Sequence, residues 1–461
     1  MSLSLEFDDQ LIRKYDVAGP RYTSYPTAVQ FDSAFTVDDY RAQVALSNQS
    51  GRDLSLYFHL PFCDTICYYC ACNKVVTKDR SKATPYLEAL HKEIALQAEL
   101  FDQSRKVSQL HWGGGTPTFI SHDQMVELMA VTRKHFNLYD DDSGEYSIEI
   151  DPREVSHESI KLLRDIGFNR MSLGVQDFNP DVQKAVNRIQ PEEKTLSVLN
   201  AARESGFKSI STDLIYGLPM QTPDSFSNTL QRLIEISPDR VSLFNYAHMP
   251  ERFKPQRRIN ETDMPSPVLK LEILKQSIEQ LTEAGYVYIG MDHFAKPDDE
   301  LSIAQQQGKL YRNFQGYATH ADCDLIGMGV TSIGTVNNSI AQNVKTLDEY
   351  QARINEGSLA VFSGILTDKD DQIRRDVIMA LICHFSLDFS VIEAKFNIQF
   401  PVYFATELSR LSALHDDGLI ELDFDTIKVT GRGRLLIRNI CMIFDRYLQQ
   451  MPSYVGYSKA I

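Results

Sequence analysis

The chain has 461 residues, 43% of them hydrophobic and 24% charged, the balance of a soluble globular protein of about three domains or of one large barrel with additions. The longest uninterrupted apolar run, Val377–Cys383, is far short of the ~20 residues of a membrane span, and Met1–Asp9 has neither a basic residue nor an apolar stretch, so a cytoplasmic protein without a leader or a membrane contact is expected. A net charge of −15 repels nucleic acid and anionic membrane, but it leaves room for an anionic small substrate held by a few local Arg or Lys residues.

Residues 1–50 show weak periodicity, and Pro20 and Pro26 break the segment Gly19–Thr27, so this part reads as an extended arm. From Leu54 onward, short apolar runs alternate with helical spacings. Strands are expected at Leu54–Leu60, Val107–Trp112, Tyr146–Ile150, Arg170–Val175, Ser209–Ile215 and Arg240–Asn245. Helices fit at about 84–102, 122–136, 156–166, 191–205, 223–236 and 267–284. Six strand–helix units in series predict an α/β fold, an incomplete parallel (β/α)6-type barrel over residues 51–355. After about 356 the texture becomes helical (about 367–386, 389–396 and 402–415), with a hairpin across Gly418–Thr430 and a last helix, a winged-helix-like layout. Its few basic residues argue for a lid or docking domain and against a nucleic-acid reader.

The unusual sequences fall at the carboxyl ends of the expected strands, the face on which such barrels build active sites. Four of the seven cysteines, Cys63, Cys67, Cys70 and Cys72, lie within ten residues, which in a cytoplasmic protein points to metal and not to disulfides. The spacing C-x3-C-x2-C lets three thiolates of one loop hold three irons of a [4Fe–4S] cluster and leave the fourth iron open. The competing ligand is zinc, which usually draws four ligands from two separated pairs; no distant Cys pair is present. Cys323, Cys383 and Cys441 read as small core residues. The run Gly113-Gly-Gly-Thr116 after a strand lets backbone approach a ligand where a side chain would clash.

The cysteine loop, the strand before it and the glycine run resemble the radical S-adenosylmethionine superfamily. Within it, Arg21–Ala28, Cys70–Lys74, His111–Thr118, Glu149–Pro152, Gly174–Asp177, Asp213–Pro219, Asn245–His248, Asn313–Tyr317, Asp324–Val330 and Arg434–Met442 resemble the oxygen-independent coproporphyrinogen III oxidase family, over about residues 15 to 450. Ala71 stands where that family's pattern has glycine. The resemblance implies decarboxylation of two propionates of coproporphyrinogen III to vinyl groups in haem biosynthesis, using 5′-deoxyadenosyl radicals. It also implies a low-potential electron donor such as flavodoxin, an unnamed terminal electron acceptor, and a monomer.

By the same resemblance, Cys63, Cys67 and Cys70 hold the cluster, and two S-adenosylmethionine molecules bind. The first lies near Tyr57, Gly114, Glu149 and Ile333. The second touches Tyr69, Gly115, Thr116, Gln176, Arg188, Asp213 and Ala247, with Phe314 and Gln315 on a loop beside it. Tyr57 and Cys72 are implied as catalytic, Cys72 without ligating iron; the Arg21–Ala28 arm itself reads as a loop over the substrate, with Arg21 a candidate partner for a propionate. The rival reading is a haem-binding chaperone of the same superfamily branch; such relatives have phenylalanine in place of Cys72 and lack the Arg21–Ala28 arm.

Overall fold

The computed structural model describes residues 5–320, 322–450 and 457. The chain divides into two compact units, one of residues 31–284 and 322–366, the other of residues 1–30, 285–321 and 367–461.

The larger unit is built on one sheet, whose main strands we number β1 (Leu54–Leu60), β2 (Lys106–Gly114), β3 (Glu145–Ile150), β4 (Arg170–Gln176), β5 (Ser209–Tyr216), β6 (Arg240–Asn245), β7 (Asp324–Met328), β8 (Ile333–Val336), β9 (Ser339–Asn343) and β10 (Val361–Leu366). Their order is β6-β5-β4-β3-β2-β1-β7-β8-β9-β10. The pairs from β6 through β7 are parallel, and β7 to β10 pair antiparallel. This is the parallel α/β fold the sequence predicts, extended by four strands that it did not reveal. Asp324–Val330 is visible as a motif, but its strand is only five residues long, with Gly327 inside it and Gly329 just after it, too short for a periodicity.

Helices link the parallel strands, close to the expected bounds: Ala83–Ala98, His122–His135, His157–Asp165, Glu192–Glu204, Pro223–Ile236 and Pro267–Glu283. Capping boxes start several of them, as at Ser121 with Gln124 and Thr222 with Ser225, where side chains satisfy otherwise orphaned backbone N–H groups. Strand alternation then sorts the faces. On β3, Tyr146, Ile148 and Ile150 are buried in the main core, whereas Ser147 and Glu149 take the opposite face. The register sets Glu149 beside Ser172, and Gly174 beside Asp213, which itself neighbours Ser242. Tyr57, His111 and Ser147 line up across β1, β2 and β3.

A buried ion pair fixes the start of β7: Arg105 reaches the Asp324 carboxylate at 2.5 Å, both side chains 2% exposed. Ser47 donates to the same carboxylate, as does the backbone N–H of Asn337 at 2.9 Å.

The smaller unit carries the helix Lys369–His384, capped by Asp368, and the helices Phe389–Phe396 and Ala405–Asp416. A three-stranded antiparallel sheet places Thr426–Val429 between Ser386–Asp388 and Ile420–Leu422. The helix expected at 402–415 starts with a separate turn, Phe400–Tyr403, and the last helix divides at Leu436 into Gly431–Leu435 and Ile437–Ile443.

The segment 1–50, expected as an extended arm, contains two helices. Asp9–Tyr15 is started by the Asp8 carboxylate, which accepts from the N–H groups of Gln10 and Leu11. Val37–Asn48 is started by a capping box between Thr36 and Asp39. End capping, not apolar periodicity, produces both, and a reading by periodicity passes over them.

Candidate active site

A cleft of about 360 Å³ opens at the carboxyl ends of β1 to β5, within the usual range for a small-molecule site. Cys63, Cys67, Cys70 and Cys72 line it, as do Tyr69, Gly114, Gly115, Thr116, Glu149, Gln176, Arg188 and Asp213. The structure thus brings these sequence-expected residues together around one cleft. The sequence reading missed Lys74, Asp151, Arg153 and Ser172, which share the cleft. Asp151 was visible only as the end of a strand, and the partners that give it a role are distant in sequence.

The cysteine loop is closed by a short parallel pairing, Phe62 to Val75 and Cys63 to Val76. Its base is fastened by the Val75 N–H on the Pro61 carbonyl, 2.7 Å, and the Thr77 N–H on the Cys63 carbonyl, 2.9 Å. Its far side is held by Tyr68 N–H on the Val186 carbonyl, 2.9 Å, and Asn187 Nδ2 on the Ile66 carbonyl, 2.7 Å. The Lys74 ammonium donates to the carbonyls of Cys70 (3.1 Å) and Cys72 (3.3 Å), pinning the turn between them.

The glycines have a reason the sequence did not show. A Cβ on Gly115 would stand 2.7 Å from the Phe62 carbonyl oxygen and 2.7–2.8 Å from the Pro61 carbonyl group. One on Gly114, whose φ is +114°, would meet the His59 ring at 2.6 Å. The glycine run thus lets the base of the cysteine loop lie directly on the end of β2, with Gly115 N–H to the Leu60 carbonyl at 2.9 Å and Thr116 N–H to the Phe62 carbonyl at 2.7 Å.

Glu149 accepts from the Gly114 N–H at 3.1 Å and pairs with His111 Nε2 at 3.3 Å. Burial pushes its carboxyl upward, but the His111 hydrogen bond and charge and the Gly114 N–H outweigh burial and hold it below the usual range. It is a carboxylate placed to receive an ammonium or hydroxyl. Tyr57 stacks on His111 at 5.8 Å and meets His59 Nδ1 through its hydroxyl at 3.1 Å. Burial, with the nearby Glu149 charge, raises the Tyr57 phenol well above its ordinary value, so it stays protonated. Burial also lowers His59, which accordingly is neutral at pH 7.

Asp213 accepts from Ser172 Oγ at 2.9 Å. Burial lifts its carboxyl to about 6, opposed by the hydrogen bonds of Ser172 and Ser242. Gln176 adopts φ +67°, and its side-chain oxygen is buried without a partner, as is Arg188 Nε. The unpartnered Gln176 Oε1 and Arg188 Nε on the cleft lining are atoms a polar ligand would complete.

Among the thiols, burial raises Cys63 to about 11. Cys70 is lowered to about 6, chiefly by a hydrogen bond with Cys72, while that contact and the Cys70 charge push Cys72 well up. All four are free of disulfides. Among the described residues no three His, Cys, Asp or Glu side chains converge as around a single ion; a cubane spreads its thiolates farther apart than one ion does. The donor set, three soft thiolates of one loop on a cleft with unsatisfied polar groups, fits an iron–sulfur cluster with a ligand beside it.

Several expected residues are not among the lining of this cleft. Ile333 is on β8, where its backbone packs against Gly327. Ala247 follows β6, and its carbonyl shares the Gln256 side-chain amide with the carbonyl of Tyr69, at 3.2 and 3.1 Å. Phe314 and Gln315 form the tip of a hairpin, Tyr311–Asn313 with Gly316–Ala318, in the smaller unit. Arg21 belongs to that unit as well, ion-paired with Asp292.

The Radical SAM superfamily model matches residues 57–233, and the HemN C-terminal domain model matches residues 367–436. Fold and site together define a radical SAM enzyme. The solved structure of coproporphyrinogen III oxidase (HemN) from Escherichia coli, a radical SAM enzyme, superposes with a TM-score of 0.92 at 51% identity, covering 96% of this chain and all of that one. Oxygen-independent coproporphyrinogen III oxidases from Pseudomonas aeruginosa and Synechocystis are 54% and 45% identical, over 97% and 99% of both chains. The chain belongs to the oxygen-independent coproporphyrinogen III oxidase family. Among the described residues no helix is long and apolar enough to cross a membrane.

Proposed function

We propose that this chain converts two propionate side chains of coproporphyrinogen III to vinyl groups, giving protoporphyrinogen IX without oxygen. The observation that carries this is a three-thiolate loop on one cleft with Glu149, Arg188 and Asp213, in a chain 54% identical throughout to a named oxidase. The relatives' names support the oxidase over the haem-binding chaperone.

In this reading Cys63, Cys67 and Cys70 hold the [4Fe–4S] cluster. When bound, the cluster and S-adenosylmethionine supply a 5′-deoxyadenosyl radical. From each propionate one hydrogen atom leaves the β-carbon, one carbon dioxide is released, and one electron passes to an acceptor outside the chain. Glu149 and the Gly114 backbone, with Tyr57 and Ile333, position a first S-adenosylmethionine. Tyr69, Gly115, Thr116, Gln176, Arg188, Asp213 and Ala247 position a second. The Asp213 carboxyl is suited to ribose hydroxyls and the Arg188 guanidinium to a carboxylate. Tyr57, held neutral, can donate a hydrogen bond without taking up charge, and Cys72 serves the reaction without holding iron. The electron comes from a low-potential donor of the flavodoxin class, in the cytoplasm, to a monomeric enzyme.

The test is substrate deuterated at the propionate β-carbons. Deuterium is expected in 5′-deoxyadenosine; unlabelled 5′-deoxyadenosine formed together with protoporphyrin would overturn the assignment of the abstracted atom.

A further inference from the structure

Asp151, just beyond β3, holds two guanidiniums against one cysteine. Its Oδ2 accepts from Arg153 Nη2 at 2.7 Å and from Arg188 Nη1 at 3.0 Å. The same two nitrogens face Cys67 Sγ, Arg153 Nη2 at 3.7 Å and Arg188 Nη1 at 3.6 Å. All four groups are largely withdrawn from water: the side chains of Arg153, Arg188 and Asp151 are 15%, 7% and 10% exposed. Arg188 is further fixed by Nη2 on the Gly174 carbonyl, 2.6 Å. Cys63 receives only the Thr116 hydroxyl, at 3.6 Å. The three thiols are thus unlike in their surroundings: the Lys74 ammonium lies nearest the Cys70 backbone, whereas two guanidiniums face the Cys67 sulfur directly.

Reduction of an iron–sulfur cluster adds one negative charge, and hydrogen bonds to its sulfurs raise the reduction potential by stabilising that charge. Two guanidiniums against one carboxylate leave a net positive charge beside Cys67, in a setting where water screens little. The carboxylate also prevents the arginines from swinging away.

We infer that Arg153, clamped by Asp151 together with Arg188, is a positioning residue that sets the potential of the cluster through Cys67 and so lets a biological one-electron donor reduce it. The inference rests on Cys67 being a cluster ligand. Arg153 donates its hydrogen bonds to Asp151 and also feels the Glu154 carboxyl on the same cleft, yet a purely structural ion pair would not require both guanidiniums to turn a nitrogen toward the same sulfur.

The experiment is an anaerobic redox titration of reconstituted holoprotein, followed by electron paramagnetic resonance, without S-adenosylmethionine or substrate. Arg153→Met is expected to leave the cluster about tenfold less reduced at a fixed donor potential, a fall of about 59 mV for one electron. Arg153→Lys keeps the charge but not the planar fork, and is expected to fall between the two. An unchanged midpoint in Arg153→Met with full iron and sulfide overturns the inference, since a structural role would lower cluster yield and leave the potential in place. Should Arg153→Met not assemble a cluster, an unchanged midpoint in Arg153→Lys overturns it equally. The reading needs no turnover, so failure of decarboxylation and failure of this inference are separate results, and loss of iron on Cys67→Ser checks the ligand on which it rests.

Discussion

Replacing Gly115 by alanine tests how the glycine run serves the site. The new methyl would lie 2.7 Å from the Phe62 carbonyl oxygen and from the Pro61 carbonyl carbon. Both belong to backbone that is itself bonded, Phe62 to the Thr116 N–H at 2.7 Å and Pro61 to the Val75 N–H at 2.7 Å, so neither can turn away as a side chain would. Relief requires lifting the base of the cysteine loop from β2 by several tenths of an ångström. Overpacking of this kind costs about 1–3 kcal/mol. Because the strain falls on the segment that ends in Cys63, the main loss should be of iron. The comparison is Gly206→Ala, at φ +79° with nothing within 4 Å of the added methyl; it should cost about 1–2 kcal/mol through left-handed backbone strain alone. Denaturant unfolding and iron content per chain are read for both. Gly115→Ala is expected to lose stability and iron together, Gly206→Ala stability only. A Gly115→Ala protein with full iron and an unchanged unfolding midpoint would refute the packing account.

Other outcomes follow from the same structure. Asp213, lifted to about 6 by burial from an ordinary value of 3.8, binds more protons folded than unfolded. Its contribution to the stability of the ligand-free protein is present below pH 4 and lost as pH rises through 6, a penalty on the order of 3 kcal/mol at pH 7. Asp213→Asn should therefore stabilise the ligand-free protein at pH 7 while flattening its profile between pH 4 and 6; a profile identical to wild type contradicts this. Asp324→Asn leaves Arg105 buried with its counter-charge removed and should cost about 3–5 kcal/mol in denaturant unfolding; a loss under 1 kcal/mol would show that the pair is dispensable. Serine in place of Cys63, Cys67 or Cys70 should abolish the iron–sulfur absorbance, whereas Cys72→Ser should retain it and lose turnover. A full cluster in any of the first three sinks the ligand assignment.

Much of the catalytic unit is legible in the sequence because parallel strands and their covering helices announce themselves by apolar periodicity, and β1 to β6 fall within two residues of their expected ends. The cysteine spacing, the glycine run and the strand-end polar residues mark the cleft for the same reason. What stayed hidden depends on distance in the chain. Asp151, Arg153 and Cys67 gain meaning only when β3 and the cysteine loop meet, and β7 pairs with β1 and is anchored by Arg105, 219 residues before its partner Asp324. The glycines were legible as a close approach, but the sequence does not say that the approaching group is the chain's own loop. The helices Asp9–Tyr15 and Val37–Asn48 rest on caps, and a segment with two prolines hides them from any reading by periodicity.

The most direct measurement of the central claim is an anaerobic assay of the reconstituted protein. S-adenosylmethionine, a reduced flavodoxin or dithionite, coproporphyrinogen III and cell extract as electron acceptor are combined, and products are separated by chromatography. Protoporphyrin and 5′-deoxyadenosine should appear together, with no oxygen supplied. A fully loaded cluster that yields neither product would contradict the oxidase function.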